Sequence, residues 1–172
     1  MYNAIEIADF FVQLTNDLPG YHIDTEKLNA LLYYAQGWCL AELHRPLFSG
    51  PVIAGQDGPV VKGVSETFAQ YGSADITEPS AFFDERRLSS DELCLLVDLY
   101  RAYGGLDGRT LMDKAKEAGG PWALTFRAEG KAVLIPYGIM ADHFSRQDLP
   151  RFKINEAALN IVTALPPEDG DY

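Results

Sequence analysis

The sequence predicts a mainly α fold, a single compact helical domain around a central apolar helix, with a small two-stranded β element. The length of 172 residues fits one domain. Apolar residues recur at helical spacing between glycine and proline breaks. The stretch "LNALLYYAQGWCLAEL", residues 28–43, is apolar on nearly every face, so other elements must cover it. We expect the domain to span residues 1–150 and a C-terminal extension, disordered at its end, to span residues 151–172.

The first two helices are marked by capping residues. We expect one helix to begin at Asn3, because Glu6 three residues later completes a capping box, and to stop at Pro19-Gly20. Asp24 or Thr25 caps the central helix. The polar positions that remain on the central helix are Asn29, Gln36 and Glu42.

A short strand and a turn follow the central helix. Residues 51–54 are expected to form the strand, and Gln56-Asp57-Gly58 the turn. Pro59 suits the first position of a helix, where its missing N–H costs nothing, and this helix is expected to end at Gly72. Residues 73–87 lack clear periodicity, which predicts an exposed loop. The apolar face of the predicted helix comprises Val60, Val64, Phe68 and Tyr71.

The second half of the chain contains further helix signals. Ser89 with Glu92 predicts the start of one helix, and Asp107 can cap the next. Gly119-Gly120-Pro121-Trp122 separates that helix from the remainder. The shorter predicted pieces are a helix over residues 122–127, a strand over 133–135 paired with 51–54, and helices over 136–144 and 156–165.

Composition limits the classes of function. With 14 Lys plus Arg against 25 Asp plus Glu, the net charge is −11, which disfavours direct nucleic-acid binding and favours basic partners. The longest apolar run, residues 132–141, is too short to span a membrane. The N-terminus has no basic region that would indicate a signal peptide. We therefore expect a cytoplasmic protein, in which Cys39 and Cys94 are reduced thiols of the core.

Catalytic patterns are mostly absent from the sequence. His22, His44 and His143 are scattered, and no paired-Cys metal motif or phosphate-binding loop is present. We therefore expect no cofactor, no metal and no catalysis. The enzymatic alternative is a hydrolase that uses the carboxylates of Asp57 and Glu66.

Three features exceed this background, and each has two interpretations. Tyr33, like its neighbours Tyr34 and Trp38, is either an interface anchor or a core residue; core is favoured for the neighbours and open for Tyr33. The segment "DGPVV", residues 57–61, either presents backbone N–H groups to an anion or is a simple turn, which is favoured. Pro121-Trp122 is either a recognition site or, as favoured, a plug between packed helices.

Four stretches in this order resemble the Panacea domain of SocA-like antitoxins, also labelled phage-associated GepA-type proteins. They are "LNALLYYAQGWCLAELHRPLF", "VIAGQDGPVVKGVSETFAQYG", "LYRAYGGLDGRTLMDKAKEAGGPWALTFR" and "IPYGIMADHF". The resemblance implies a small helical antitoxin that neutralises a toxin by direct contact, or an adaptor that delivers the toxin to a Clp protease. The chain departs from many relatives at Gly55 and Asp57, and at Lys116-Glu117.

The resemblance and the charge together give an expected partner and surface. The partner is a cognate protein toxin of basic character, or additionally a Clp-type protease in the adaptor alternative. The expected partner-binding residues lie in loops that flanking helices hold rigidly, together with one aromatic residue of the central helix. These residues are Tyr33, Gln56, Asp57, Gly58, Pro59, Val60, Pro121 and Trp122.

Overall fold

Helix α2, Thr25–Glu42, runs through the centre of a computed structural model that describes residues 1–126 and 132–148. The predicted helix over 156–165 and the extension over 151–172 lie outside the described residues, and the domain boundary at residue 150 stays a prediction. The mainly α fold with a small β element is confirmed. The other helices are α1 Ala4–Asn16, α3 Val64–Thr67, α4 Ser90–Tyr103, α5 Gly108–Ala115, α6 Pro121–Thr125 and α7 Tyr137–Ser145.

The strands form two small sheets. In the first, β1 Tyr2–Asn3 pairs in parallel with β2 Phe48–Ser49. In the second, β3 Val52–Gly55 lies between β4 Gly58–Val61 and β5 Val133–Leu134, and both pairings are antiparallel. The predicted pairing of residues 133–135 with residues 51–54 is therefore confirmed. The sheet has three strands because the chain forms β4 where the sequence predicted a helix.

The prediction that Pro59 begins a helix is wrong. Pro59 lies in β4 opposite Ala54, at an edge of the described sheet, where a proline can be accommodated without a ladder N–H. Gln56 and Asp57 form the two-residue turn that returns the chain from β3 to β4. The helix begins only at Val64 and ends at Thr67, and a 3₁₀ turn over Ala69–Tyr71 follows it.

The predicted caps are confirmed at four helices. Asn3 and Glu6 form a capping box on α1, and Asp24 accepts a hydrogen bond from the Lys27 N–H at the start of α2. The side chains of the other two N-cap residues, Ser89 on α4 and Asp107 on α5, do the same for their own helices. These caps fix the first residue of each of the four helices.

Helix α2 is buried along nearly its whole length because α1, α4, α5, α7 and the three-stranded sheet pack around it. Two of its predicted polar positions are inside this core. The Gln36 Oε1 accepts hydrogen bonds from the N–H groups of Leu47 and Phe48, and its Nε2 donates to the Phe48 carbonyl at 2.9 Å. The Asn29 Oδ1 accepts from the Val61 N–H at 2.8 Å. The two amides therefore attach the strands to the central helix.

Helices α2 and α7 approach closely at Gly37. A Cβ at this position would overlap the ring of Phe144, so only glycine leaves room for it. The same ring lies 5.7 Å from the ring of Tyr33 and 5.1 Å from that of Trp38. This contact seals one side of α2.

The segment over residues 73–87 is only partly the exposed loop that the sequence predicted. Ile76 and Phe83 are buried, and the backbone of the segment bonds to polar side chains of α1. Gln13 forms a pair of hydrogen bonds with Phe83, from Nε2 to the carbonyl at 3.0 Å and from the N–H to Oε1 at 2.7 Å. The buried Asp9 accepts hydrogen bonds from Ser80.

The two cysteines differ in exposure. Cys39 is buried, as predicted, and burial raises the pKa of its thiol to about 11. Cys94 is exposed on α4, so the prediction that it belongs to the core is wrong. The buried face of α4 is instead formed by Leu95, Leu96 and Leu99. None of the helices in the described part of the chain combines the length and the hydrophobicity that a membrane span requires.

Candidate partner-binding surface

The turn between β3 and β4 projects into solvent from a rigid base. Gln56 and Asp57 are exposed, whereas Gly58 is buried and has a φ of 138°, which favours glycine. A Cβ on Gly58 would collide with the Met112 side chain, so the base of the turn rests directly on α5. The two exposed side chains are thus carried on a fixed backbone.

Trp122 joins this turn to α6. Its indole Nε1 donates a hydrogen bond to the Gly55 carbonyl at 2.8 Å. Its ring stacks on Phe126, with centroids 4.6 Å apart and planes at 14°. Trp122 is partly buried, and its indole lies at the junction between β3 and α6, so it does not occupy a gap between two packed helices. Its role as a recognition residue stays a prediction. The two loops singled out in the sequence are therefore in contact through this hydrogen bond.

Other residues of the expected surface are inaccessible. The Tyr33 side chain is 1% exposed and packs edge-on against the ring of Tyr34, and burial raises the pKa of its hydroxyl. Pro121 is buried at the first turn of α6, and Pro59 is buried in β4. The prediction that Tyr33 contacts the partner is therefore wrong for the folded domain, because the ring of Tyr33 is buried. Pro59 and Pro121 are therefore part of the backbone that supports the surface, and their side chains are not exposed on it.

Two residues that the sequence did not single out lie beside Val60. The register of the sheet places Ile53 directly between Val60 and Leu134. Leu134 is 53% exposed, and Ile53 and Val60 are partly exposed. A strand at residues 133–135 paired with residues 51–54 was predicted, but the register that aligns these three side chains follows only from the structure.

A cleft of about 430 Å³ opens next to the turn. Its lining includes the carboxylates of Asp24, Glu26 and Asp57, together with Arg109, whose guanidinium lies 3.9 Å from Glu26. Glu66 is exposed on α3 and does not line this cleft. The two carboxylates of the hydrolase alternative are therefore not brought together there.

Titratable groups with shifted pKa values hold elements together. Burial would raise the pKa of Glu92, but hydrogen bonds from the Ser89 N–H, the Tyr2 hydroxyl and Arg45 outweigh it and lower the pKa. Burial lowers the pKa of Lys27, whose ammonium donates to the carbonyls of His22 and Gly104. Within residues 1–126 and 132–148, no group of three or more His, Cys, Asp or Glu side chains could hold a metal ion.

Comparison with protein families decides the classification. Residues 28–123, more than half of the 172-residue chain, match the antitoxin SocA-like Panacea domain. The chain belongs to this family. The part that matches the Panacea domain begins inside α2 and includes the turn at Gln56-Asp57 and the indole of Trp122. Neither the comparison with curated proteins nor the comparison with solved structures gave a match.

Proposed function

We propose that this Panacea-domain protein is the antitoxin of a toxin–antitoxin pair, and that it neutralises its toxin in the cytoplasm by direct binding, without catalysis. The observation that carries the proposal is membership of the SocA-like family over residues 28–123. The contact surface would be centred on the turn at Gln56-Asp57 and on the accessible part of Trp122. Its fixed backbone supports this assignment, because a rigid loop loses little conformational entropy on binding.

Charge supports a basic toxin. The net charge of −11 attracts a basic protein and accelerates the encounter. Asp57 is exposed at the tip of the turn, where a partner would meet it first. A toxin with a basic patch would therefore be attracted to the domain, and Asp57 would be one of the exposed acids that it meets.

The test begins with the gene adjacent to the one that encodes this chain. Its product, expressed alone, should arrest growth, and co-expression of the Panacea protein should restore growth through a complex that co-purifies. A harmless neighbour, or rescue without a complex, would refute neutralisation by direct binding. Co-purification of a Clp protease subunit with the complex would instead favour the adaptor alternative.

A matched pair of charge reversals locates the contact. Asp57→Lys should slow association with the toxin by about 3- to 10-fold and weaken its dependence on salt. Glu78→Lys makes the same change in net charge at an exposed position of the segment over 73–87. Equal effects of the two reversals on the association rate would show that only the net charge of the protein matters, and that the turn does not contact the toxin.

The enzymatic alternative is tested separately. Purified protein should show no turnover of esterase, phosphatase, nuclease or glycosidase substrates beyond that of the Asp57→Asn and Glu66→Gln variants. Activity that either substitution abolishes would overturn the non-catalytic assignment.

A further inference from the structure

The three-stranded sheet has an outer face that the described residues leave partly open. Along β3, Val52 and Ala54 are buried toward the core, whereas Ile53 and Gly55 between them are partly exposed. Successive side chains of a strand point to opposite faces. Ile53 and Gly55 therefore belong to the face directed away from α2.

This outer face carries an apolar row. Val60 on β4, Ile53 on β3 and Leu134 on β5 are partners in register, so their side chains lie side by side across all three strands. The neighbouring pair toward the turn consists of Gly55 and Gly58, which add no bulk. Leu134 is exposed and Ile53 and Val60 are partly exposed, so the three form one apolar patch instead of isolated surface residues, which are normal on folded domains.

Two opposite charges flank β4 along the strand direction, on either side of the position of Val60. Asp57 is exposed at the turn before β4, and Lys62 is exposed directly after β4. Strand geometry separates positions five residues apart by roughly 17 Å. The chain has 25 acidic residues, yet no acidic residue lies within β3, β4 or β5. The face is therefore apolar at its centre, acidic at one end and basic at the other.

We propose that the toxin docks an apolar segment on the row formed by Val60, Ile53 and Leu134, with a basic residue of that segment beside Asp57. This inference rests on the proposed function and specifies which surface performs it. Charge complementarity selects the occupant: the basic residue meets Asp57, and the segment has no basic residue at the Lys62 end, where like charges would repel.

A second copy of the chain fits this face less well. Two copies would bring together net charges of −11 each. Strands β3 and β4 have four residues each and β5 has two, so together they present less than roughly 200 Å² of face, against about 800 Å² per partner in a stable complex. This limit on area applies to any occupant, so the repulsion between two acidic copies is what disfavours the homodimer. The toxin must extend beyond the row, and the adjacent turn and Trp122 supply further contact area.

The decisive variant is Leu134→Lys, because Leu134 is exposed enough for the domain to fold without it. We expect the substitution to weaken the complex with the toxin by about tenfold or more, since it removes an apolar contact and places a basic group in the row. Leu134→Asp should weaken binding less, because the toxin segment is basic at one end. Phe82→Lys is the matched control: Phe82 is 82% exposed in the segment that packs on α1, and its loss should change affinity by less than about twofold.

The outcomes separate this inference from the proposed function. If titration calorimetry detects the wild-type complex and gives the same affinity for the Leu134→Lys variant, the docking face is overturned and the antitoxin assignment stands. Absence of any wild-type complex would overturn both. A wild-type homodimer in sedimentation that Leu134→Lys dissociates would assign the face to a second copy and refute the toxin as its occupant.

Discussion

At the scale of single residues, the side chains that hold the fold together include the polar ones inside it. Gln36 is 0% exposed in the middle of the most apolar helix, and both ends of its amide are bonded to the chain around Leu47 and Phe48. Asp9 has the same role on α1, where it receives hydrogen bonds from Ser80 and Ala81. A substitution of Gln36 or Asp9 would therefore remove hydrogen bonds to backbone groups of a neighbouring segment.

Gln36→Leu should strongly destabilise the free protein. The substitution removes the partner of the Leu47 N–H, the Phe48 N–H and the Phe48 carbonyl, at about 1–3 kcal/mol for each buried group left unpaired. Gln70→Leu makes the same chemical change at an exposed position and should alter the free energy of unfolding by less than about 0.5 kcal/mol. Urea denaturation of both variants is the measurement, and equal midpoints would contradict the structural role of the buried amide.

Ser80→Ala should raise the pKa of Asp9 further. Burial already raises this pKa, while the Ser80 hydroxyl opposes the effect by bonding to the charged form. A pKa raised in the folded state favours folding below the unfolded pKa, and that contribution is lost as the pH rises through the folded pKa. The destabilisation caused by Ser80→Ala should therefore be largest near neutral pH and vanish as Asp9 protonates. Carboxyl NMR titration reports the pKa, and denaturation at several pH values reports the stability; a lowered pKa in the variant would contradict this account.

At the scale of elements, close approach decides which helices can pack. Gly37 lies inside α2, where alanine would normally favour helix formation by about 1 kcal/mol. Here the ring of Phe144 on α7 occupies the space that a methyl group would need. The packing requirement therefore overrides the local preference.

Gly37→Ala should lower the thermal midpoint despite this helix preference. The added methyl group forces α7 away from α2, and overpacking of this kind costs about 1–3 kcal/mol. The double variant Gly37→Ala with Phe144→Leu should recover part of the lost stability, because the smaller leucine side chain leaves room for the added methyl group. A midpoint that rises in the single variant would show that α7 does not pack there.

Most of the elements that the sequence predicted correctly have local signals, although the confirmed pairing of residues 133–135 with residues 51–54 is not local. The caps at Asn3 and Ser89 were predictable because the partner glutamates lie three residues away. Pro59 was misassigned because proline suits both a helix start and an edge strand, and only the pairing with Ala54 distinguishes them. Within the candidate surface, the turn at Gln56-Asp57 was predictable from its residues. Leu134 was not, because its position beside Ile53 depends on a register between segments about 80 residues apart.

At the scale of the whole molecule, the elements that cover α2 come from both ends of the described chain. Helix α1 precedes it, and α7 follows it after the hairpin, α4 and α5. The Panacea match over residues 28–123 includes neither α1 nor α7, although both contribute buried residues to the same hydrophobic core as α2. Integrity of the core therefore requires more of the chain than the matched segment.

A chain that ends at Pro136 should lose solubility, whereas one that ends at Pro150 should keep the thermal midpoint of the full protein. The first truncation removes α7 and uncovers the side of α2 that Phe144 seals. The second tests the predicted domain boundary at residue 150. Soluble yield and thermal denaturation measure both, and a soluble, cooperatively folded chain ending at Pro136 would show that α7 is dispensable.

The order of the elements also governs what happens on the ribosome. Helix α2 is complete at Glu42, but its last described covering helix, α7, begins only at Tyr137. At translation rates of about 5–20 residues per second, the nascent chain carries an incompletely covered apolar helix for about 5–20 s. During that interval the helix is a binding site for chaperones and a signal for proteases, so the supply of finished protein depends on how quickly the cell completes and protects each new chain.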